Sequence, residues 1–216
     1  QVSMYSIAIA KEMGYSYEDI RLIGIGALLH DIGKLLIPIE ILLKPGQLTE
    51  DEYEEIKRHA QYGFDLLRNL HSLSLLIAHC AFQHHERIDG SGYPRGIVDH
   101  EIHPFAKIIA VADVFDALTS NRVYREKMLP TEAIAIIAKD DGTKFDTKVV
   151  EAFKRSIVHY TNGTIVLLTD GRRGIVSKQN LIDVTRPWIR VFEEDDKLLG
   201  ATYEICLSDY PEIYIK

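Results

Sequence analysis

The chain has 216 residues, 46% of them hydrophobic and 26% charged, with a formal net charge of −7. That length can bury a substantial core, and the negative balance argues against a protein that coats a nucleic-acid polymer, which needs a basic face to neutralise phosphates; a small anionic ligand in a local basic pocket stays compatible. No run approaches the roughly 20 apolar residues of a membrane-spanning helix and the N-terminus lacks the basic-then-apolar pattern of a secretory signal, so a cytoplasmic protein without a membrane span is expected.

From Gln1 to about His159, apolar residues recur at three- and four-residue spacing, which predicts six or seven helices and a mainly α bundle. Gln1 opens the sequence without a methionine and already in helical pattern, so a fragment with a truncated N-terminal helix is expected. Ser16 with Asp19 and Thr49 with Glu52 resemble capping boxes, Pro104 and Pro130 suit the first turns of helices, and Asp146 suits the cap of the last. Segments 21–30, 73–84 and 105–118 are apolar enough to form the centre of the bundle.

After about Tyr160 the texture changes to short β-rich runs. Segments 164–169 and 174–177 flank Asp170-Gly171, a hairpin signal, and segments 188–192 and 203–207 flank an acidic turn at 193–196. The expected organisation is therefore a helical domain over residues 1–159 and a small antiparallel β subdomain over 160–216. Cys80 and Cys206 lie far apart in apolar runs, which suits reduced core thiols. Arg172, Arg173, Arg186 and Trp188 in the β subdomain carry no recognisable chemistry and read as a solvated face and a core tryptophan.

The chemistry concentrates in the helical part. His30-Asp31 ends an apolar helical run and is followed by Ile32-Gly33-Lys34, and Asp113 stands among core-type residues in Ile108-Ile109-Ala110-Val111-Ala112-Asp113. A buried carboxylate must be protonated, ion-paired or bound to a cation. His59, His84 and His85 supply further imidazoles, whereas His71, His79, His100, His103 and His159 read as solvated or structural. Adjacent His84 and His85 would point roughly 100° apart on an ideal helix, so they cannot share one packing role. Histidines and aspartates without sulfur suit iron, manganese, zinc or nickel better than a structural zinc site. Neighbouring imidazoles that diverge are useful where more than one metal is held, and two ions about 3.5–4 Å apart can deprotonate a shared water and clamp the oxygens of an in-line displacement at phosphorus.

The ordered motif set resembles the HD-GYP family of cyclic dinucleotide phosphodiesterases, a branch of the HD superfamily of metal-dependent phosphohydrolases. The matching pieces are His30-Asp31-Ile32-Gly33-Lys34, then Leu43-Lys44-Pro45-Gly46 with Lys57 and His59, then His84-His85-Glu86-Arg87-Ile88-Asp89-Gly90-Ser91-Gly92-Tyr93-Pro94. They continue through Asp113, Asp116 and Ser120 with Arg122, Tyr124 and Arg125, to Gly142-Thr143-Lys144-Phe145-Asp146. The resemblance implies an HD-type helical bundle and a phosphodiesterase that opens cyclic di-GMP to linear pGpG, and onward to GMP, through a metal-bridging hydroxide. It implies that His30, Asp31 and Asp113 hold one divalent transition metal, iron or manganese before zinc or nickel, and that Asp31, His59, His84 and His85 hold its neighbour. Asp31 and Lys34 are then the catalytic pair, with Lys34, Tyr93, Arg122 and Arg125 on the substrate. Glu86 and Arg87 hold the loop by an ion pair, and Asp89, Gly90, Gly92 and Pro94 shape it.

HD proteins usually carry a further histidine ligand about thirty residues before the doublet, and a glutamate one turn earlier where a third metal binds. No histidine precedes His30 here, and the resemblance places that ligand just before Gln1, which leaves a third metal unsupported by this chain. Thr147 stands where relatives often have proline, which touches only a helix start. A diguanylate cyclase, sensor or receiver domain is the partner the resemblance implies. The rival readings are a catalytically impaired module that binds nucleotide or a partner, and an HD phosphohydrolase acting on another nucleotide such as 3′,3′-cGAMP.

Overall fold

The computed structural model describes residues 1–120, 128–156, 160, 162–180 and 186–216. Arg122, Tyr124, Arg125 and His159 lie outside the described residues. The chain divides into two compact units, Gln1–Ser156 and Ile157–Lys216.

The first unit is helical: α1 (Val2–Glu12), α2 (Tyr17–Leu29), α3 (Ile39–Leu42), α4 (Glu50–Lys57), α5 (His59–Arg68), α6 (Leu75–Gln83), α7 (Pro104–Thr119), α8 (Pro130–Lys139) and α9 (Thr147–Ser156). Local chemistry sets their ends. Ser16 accepts from the Asp19 amide, Thr49 and Glu52 form a reciprocal capping box, and Asp146 accepts from the Lys148 and Val149 amides ahead of α9. Pro104 and Pro130 occupy first turns, where a missing amide proton costs nothing. The bundle has more helical pieces than the periodicity predicts, for two local reasons. α3 is a single turn, and Arg58, whose amide bonds back to Glu55 in a tightened turn, separates α4 from α5.

α2, α6 and α7 supply the centre, with Ile23, Ala27, Ile77, Ala81, Ile108, Ile109 and Val111 all buried. The elements that carry the His-Asp doublet and the other histidines press together at glycines. A Cβ on Gly26 of α2 would lie 2.7 Å from the Cys80 sulfur of α6. One on Gly33, in the 3₁₀ turn Ile32–Leu36, would lie 2.0 Å from the backbone oxygen of His59. That second approach is backbone on backbone, so no rotamer change can relieve it.

The second unit is an antiparallel meander in the order β1 (Ile165–Leu167), β2 (Arg173–Lys178), β3 (Trp188–Glu194), β4 (Lys197–Cys206). Glu193 and Glu194, expected in the acidic turn, instead pair with Leu198 and Lys197. The turn shrinks to Asp195 and Asp196, with φ of 48° and 59°, the left-handed geometry that matches strand twist in tight hairpins. After the 3₁₀ turn Leu207–Asp209 the chain returns to β1: the Thr169 amide donates to the Tyr214 carbonyl, and the Lys216 amide to that of Leu167 at 2.9 Å. Val166, Leu168, Val176, Ile189, Val191, Ile205, Leu207, Ile213 and Ile215 form its core. Arg186 is structural, donating to the carbonyls of Leu207, Tyr210, Pro211 and Ile213. Among the described residues no helix is long and apolar enough to cross a membrane.

Gly33→Ala is expected to destabilise the helical unit by about 1–3 kcal/mol or prevent folding, whereas Gly200→Ala, with nothing within 4 Å of its added carbon, should stay within about 0.5 kcal/mol. Urea unfolding curves of the two variants make the comparison.

Candidate metal centre

Three imidazoles are oriented by the same local device. Nδ1 of His30, at the end of α2, lies 2.7 Å from the Ala27 carbonyl oxygen; Nδ1 of His59, opening α5, lies 2.6 Å from that of Ile56; Nδ1 of His84, at the end of α6, lies 2.9 Å from that of Ala81. A carbonyl only accepts, so these Nδ1 atoms carry the protons and Nε2 is turned inward.

The inward nitrogens meet one carboxylate. Asp31 Oδ1 lies 3.4 Å from His59 Nε2 and 3.9 Å from His84 Nε2. Its other oxygen lies 3.4 Å from His30 Nε2, which is in turn 3.6 Å from Asp113 Oδ1. Ligand atoms of Asp31, His59, His84 and His85 all fall within 4.8 Å of one another. Asp113 and His30 approach that group from the side of the second Asp31 oxygen.

These contacts are too long, and too rich in acceptors, to be a finished hydrogen-bond network. His59 Nε2 and His84 Nε2 are 3.3 Å apart, yet with both ring protons on Nδ1 neither has one to give. His30 Nε2 and Asp31 Oδ1 are buried without a hydrogen-bond partner. Lone pairs gathered away from water are costly unless a cation lies among them, and this nitrogen and oxygen set fits a divalent transition metal.

The charge states agree with that fit. Burial pushes His84 down to about 3, helped by the charge on His30, and burial likewise lowers His85 and His59, so all three are neutral, as ligands must be. Burial would raise the Asp31 carboxyl, but His30 and Lys34 beside it hold it well below the usual carboxylate range. Asp113 is likewise lowered, His30 outweighing burial. Burial works against a charged His30, yet Asp113 and Asp31 outweigh it and lift the imidazole to about 10. In the metal-free protein a proton therefore occupies His30 Nε2, and metal uptake must release it.

His84 and His85 do not diverge as an ideal helix would have them. α6 ends at His84, the chain turns, and the two rings lie 4.0 Å apart on the same cluster. Lys34 Nζ sits 2.6 Å from Asp31 Oδ2, one turn along the 3₁₀ segment. Glu86 and Arg87 both hold the following loop, though by different bonds from the expected mutual ion pair. Glu86 is buried and accepts from the Arg95 and Ile97 amides, and Arg87 donates to the His84 and Glu86 carbonyls. As sequence neighbours their side chains part, and each finds backbone.

Asp89 accepts from the Ser91 amide, and Gly90 has φ of 80°. Gly92 is obligatory, since a Cβ there would meet the His85 oxygen and the Arg87 nitrogen at 2.4 Å. The loop so formed lays Tyr93, just before Pro94, on His85, with centroids 4.5 Å apart and planes at 27°. A cleft of about 310 Å³ opens beside the cluster, lined by Lys34, His59, His85, Arg87, Tyr93 and Asp113, with Ile56, Val114, Ala117 and Leu118 as apolar walls. Those wall residues went unnoticed in the sequence, although Ala117 lies one helical turn beyond Asp113 on the same face, with Val114 and Leu118 flanking Ala117. Arg122 and Arg125 fall outside the described residues.

The HD domain family model matches residues 1–149. The chain belongs to the HD domain family. It is 39% identical over 186 residues to the cyclic di-GMP phosphodiesterase PA4108 of Pseudomonas aeruginosa, covering 86% of this chain and 45% of that protein. It is 40% identical over 157 residues to the 3′3′-cGAMP-specific phosphodiesterase 3 of Vibrio cholerae, covering 73% and 34%. The chain thus spans less than half the length of either relative. Among solved structures, Bd1817, a HDG"Y"P protein from Bdellovibrio bacteriovorus, shares the fold at a TM-score of 0.59 and 24% identity, over 70% of this chain and 48% of that one. The HD domain family is metal-dependent, and the clustered aspartates and histidines are where this HD domain can hold its metal.

The metal-free HD domain is expected to lose stability as pH falls below about 6.5. His84, His85 and His59 resist protonation when folded and not when unfolded, so the unfolded chain binds more protons, worth up to about 1.4 kcal/mol per site and pH unit. His30 is protonated in both states there and adds no slope. Urea midpoints in chelator at pH 6.5 and 5, both below the range in which His30 adds a slope of opposite sign, should differ accordingly. Adding Mn²⁺ at a hundredfold excess over its dissociation constant should raise stability by about 2.7 kcal/mol, and Asp31→Ala should remove that gain.

Proposed function

We propose that this chain is the catalytic part of a phosphodiesterase that opens a cyclic dinucleotide, with cyclic di-GMP as substrate and linear pGpG, then GMP, as products. The observation that carries the reading is the Asp31 carboxylate, which turns one oxygen to His59 and His84 and the other to His30, with Asp113 beyond. Residues so placed would hold divalent cations, with His30, Asp31 and Asp113 serving one and Asp31, His59, His84 and His85 its neighbour. The family resemblance points to iron or manganese ahead of zinc or nickel, and among the described residues no second ligand cluster offers a third site. Bound there, two ions furnish a deprotonated water at neutral pH and a clamp on phosphoryl oxygens.

The chain's own groups prepare the rest. Asp31, held ionised, and neutral His59, His84 and His85 keep the cluster in its ligating form. Lys34, about two-fifths exposed and already against Asp31, can move its ammonium to a phosphoryl oxygen and offset the charge that grows there. In the net reaction a water oxygen bonds to phosphorus, the bond from phosphorus to the 3′ oxygen breaks, and a water proton ends on that leaving oxygen. Tyr93 closes the cleft over His85, and the reading assigns Arg122 and Arg125, which lie outside the described residues, to substrate binding. Residues 1–159 form the catalytic domain and 160–216 a β subdomain. The reading places the activity in the cytoplasm, with a sensor, receiver or diguanylate cyclase domain as partner.

Asp31→Ala and Asp113→Ala should each lower turnover by at least about a thousandfold together with bound metal, measured by elemental analysis and chromatography of products. Full activity in a metal-poor variant would refute these roles. A panel of cyclic di-GMP, 3′,3′-cGAMP and ordinary nucleotides separates the substrate readings, since dominant hydrolysis of the hybrid would transfer the assignment to 3′,3′-cGAMP.

A further inference from the structure

The cleft has a rim that the proposed hydrolysis does not use. α4 carries Tyr53, Ile56 and Lys57, of which Ile56 is one of the cleft walls and Lys57 reaches the cleft's Tyr93. The Lys57 ammonium lies 4.7 Å from the centroid of the Tyr53 ring and 5.8 Å from that of Tyr93, the ring stacked on His85. A chain of contacts therefore runs from the ligand cluster through Tyr93 to Lys57 and Tyr53. Nearly half of Tyr53 is exposed, at 47%. Lys57 is paired with Glu54 at 2.5 Å, but that carboxylate is 60% exposed, so water or a ligand can replace it at little cost.

We propose that Tyr53 and Lys57 form a nucleobase subsite that selects guanine over adenine, an inference that rests on reading this chain as a cyclic dinucleotide phosphodiesterase. An exposed phenol ring offers any base a stacking surface. Selection comes from the lysine: an ammonium has three donors and no acceptor. Guanine presents two acceptors on one edge, O6 and N7, whereas adenine replaces O6 with an amino donor that an ammonium cannot satisfy. The subsite thus separates two bases of equal size and stacking power by one atom, and it lies on the rim, where the rest of a nucleotide can still reach the cluster. A purely structural role, with Lys57 tying α4 to the Tyr93 loop, predicts a different pattern of effects.

Metal-loaded wild type, Lys57→Met, Tyr53→Ala and Tyr53→Phe are compared for KM on cyclic di-GMP, Ki of cyclic di-AMP as competitor, and KM and kcat/KM on bis(p-nitrophenyl) phosphate, which has no base. In K57M the ratio of cyclic di-AMP Ki to cyclic di-GMP KM should fall about tenfold. In Y53A the KM for cyclic di-GMP should rise about tenfold more than that for the base-free ester, and Y53F should recover it. Lys57→Gln serves as second variant if K57M does not fold. Wild-type turnover with an unchanged base ratio in the lysine variants, or losses equal across base-containing and base-free substrates, overturns the subsite alone. A wild type that cleaves the base-free ester but no cyclic dinucleotide overturns the parent reading and the subsite with it.

Discussion

The helical unit is organised around three acceptor atoms, His59 Nε2, His84 Nε2 and Asp31 Oδ1, that have no donor among themselves. Nε2 of His59 and His84 face each other with their protons committed elsewhere, and Asp31 Oδ1 sits between them unbonded. Such a cluster opposes its own formation, and it persists only because packing enforces it. The enforcement is local: each imidazole is tied to a carbonyl three residues earlier, so its orientation follows from the backbone of its own helix end. With rotamers fixed before any cation arrives, little ordering remains to be done on binding.

Helix ends set direction, and close packing sets distance. The 3₁₀ turn after the His-Asp doublet reaches the start of α5 because Gly33 has no side chain, and α2 reaches α6 at Gly26. These approaches bring Asp31 to His59 and His30 towards His84, whose rings are 4.9 Å apart. The loop after α6 works likewise: Gly92 lets the backbone fold over His85, and buried Glu86 anchors the far strand of that loop through two amides. Stability and reactivity thus draw on the same few residues.

Much of this was legible in the sequence because it follows from short-range rules. Thr49 with Glu52, Pro104, Pro130 and Asp146 announce helix starts by chemistry that needs no tertiary partner, and Asp113 within an apolar run declares a buried charge wherever the helix packs. The order of the His-Asp doublet, His59, the histidine pair and the Gly-Tyr-Pro turn marks the family. What escaped depends on the chain leaving ideal geometry. His84 and His85 converge because α6 ends at Gln83 and the chain turns from His84 on, Arg58 separates two helices, and Glu193 and Glu194 join a strand because Asp195 and Asp196 accept positive φ. Periodicity averages over such single-residue events. The apolar cleft walls escaped for another reason: Val114, Ala117 and Leu118 look like core, and only Asp113 one turn before Ala117 gives them a second meaning.

The return of the last residues to β1 has a practical side. Because the Lys216 amide is bonded to Leu167 and Ile213 and Ile215 belong to the β core, residues 213–216 are pinned to β1 by an isolated bridge. A purification tag fused there would continue from a hydrogen-bonded edge, and trimming those residues for crystallisation would bare both that edge and the apolar side chains beneath it, inviting self-association.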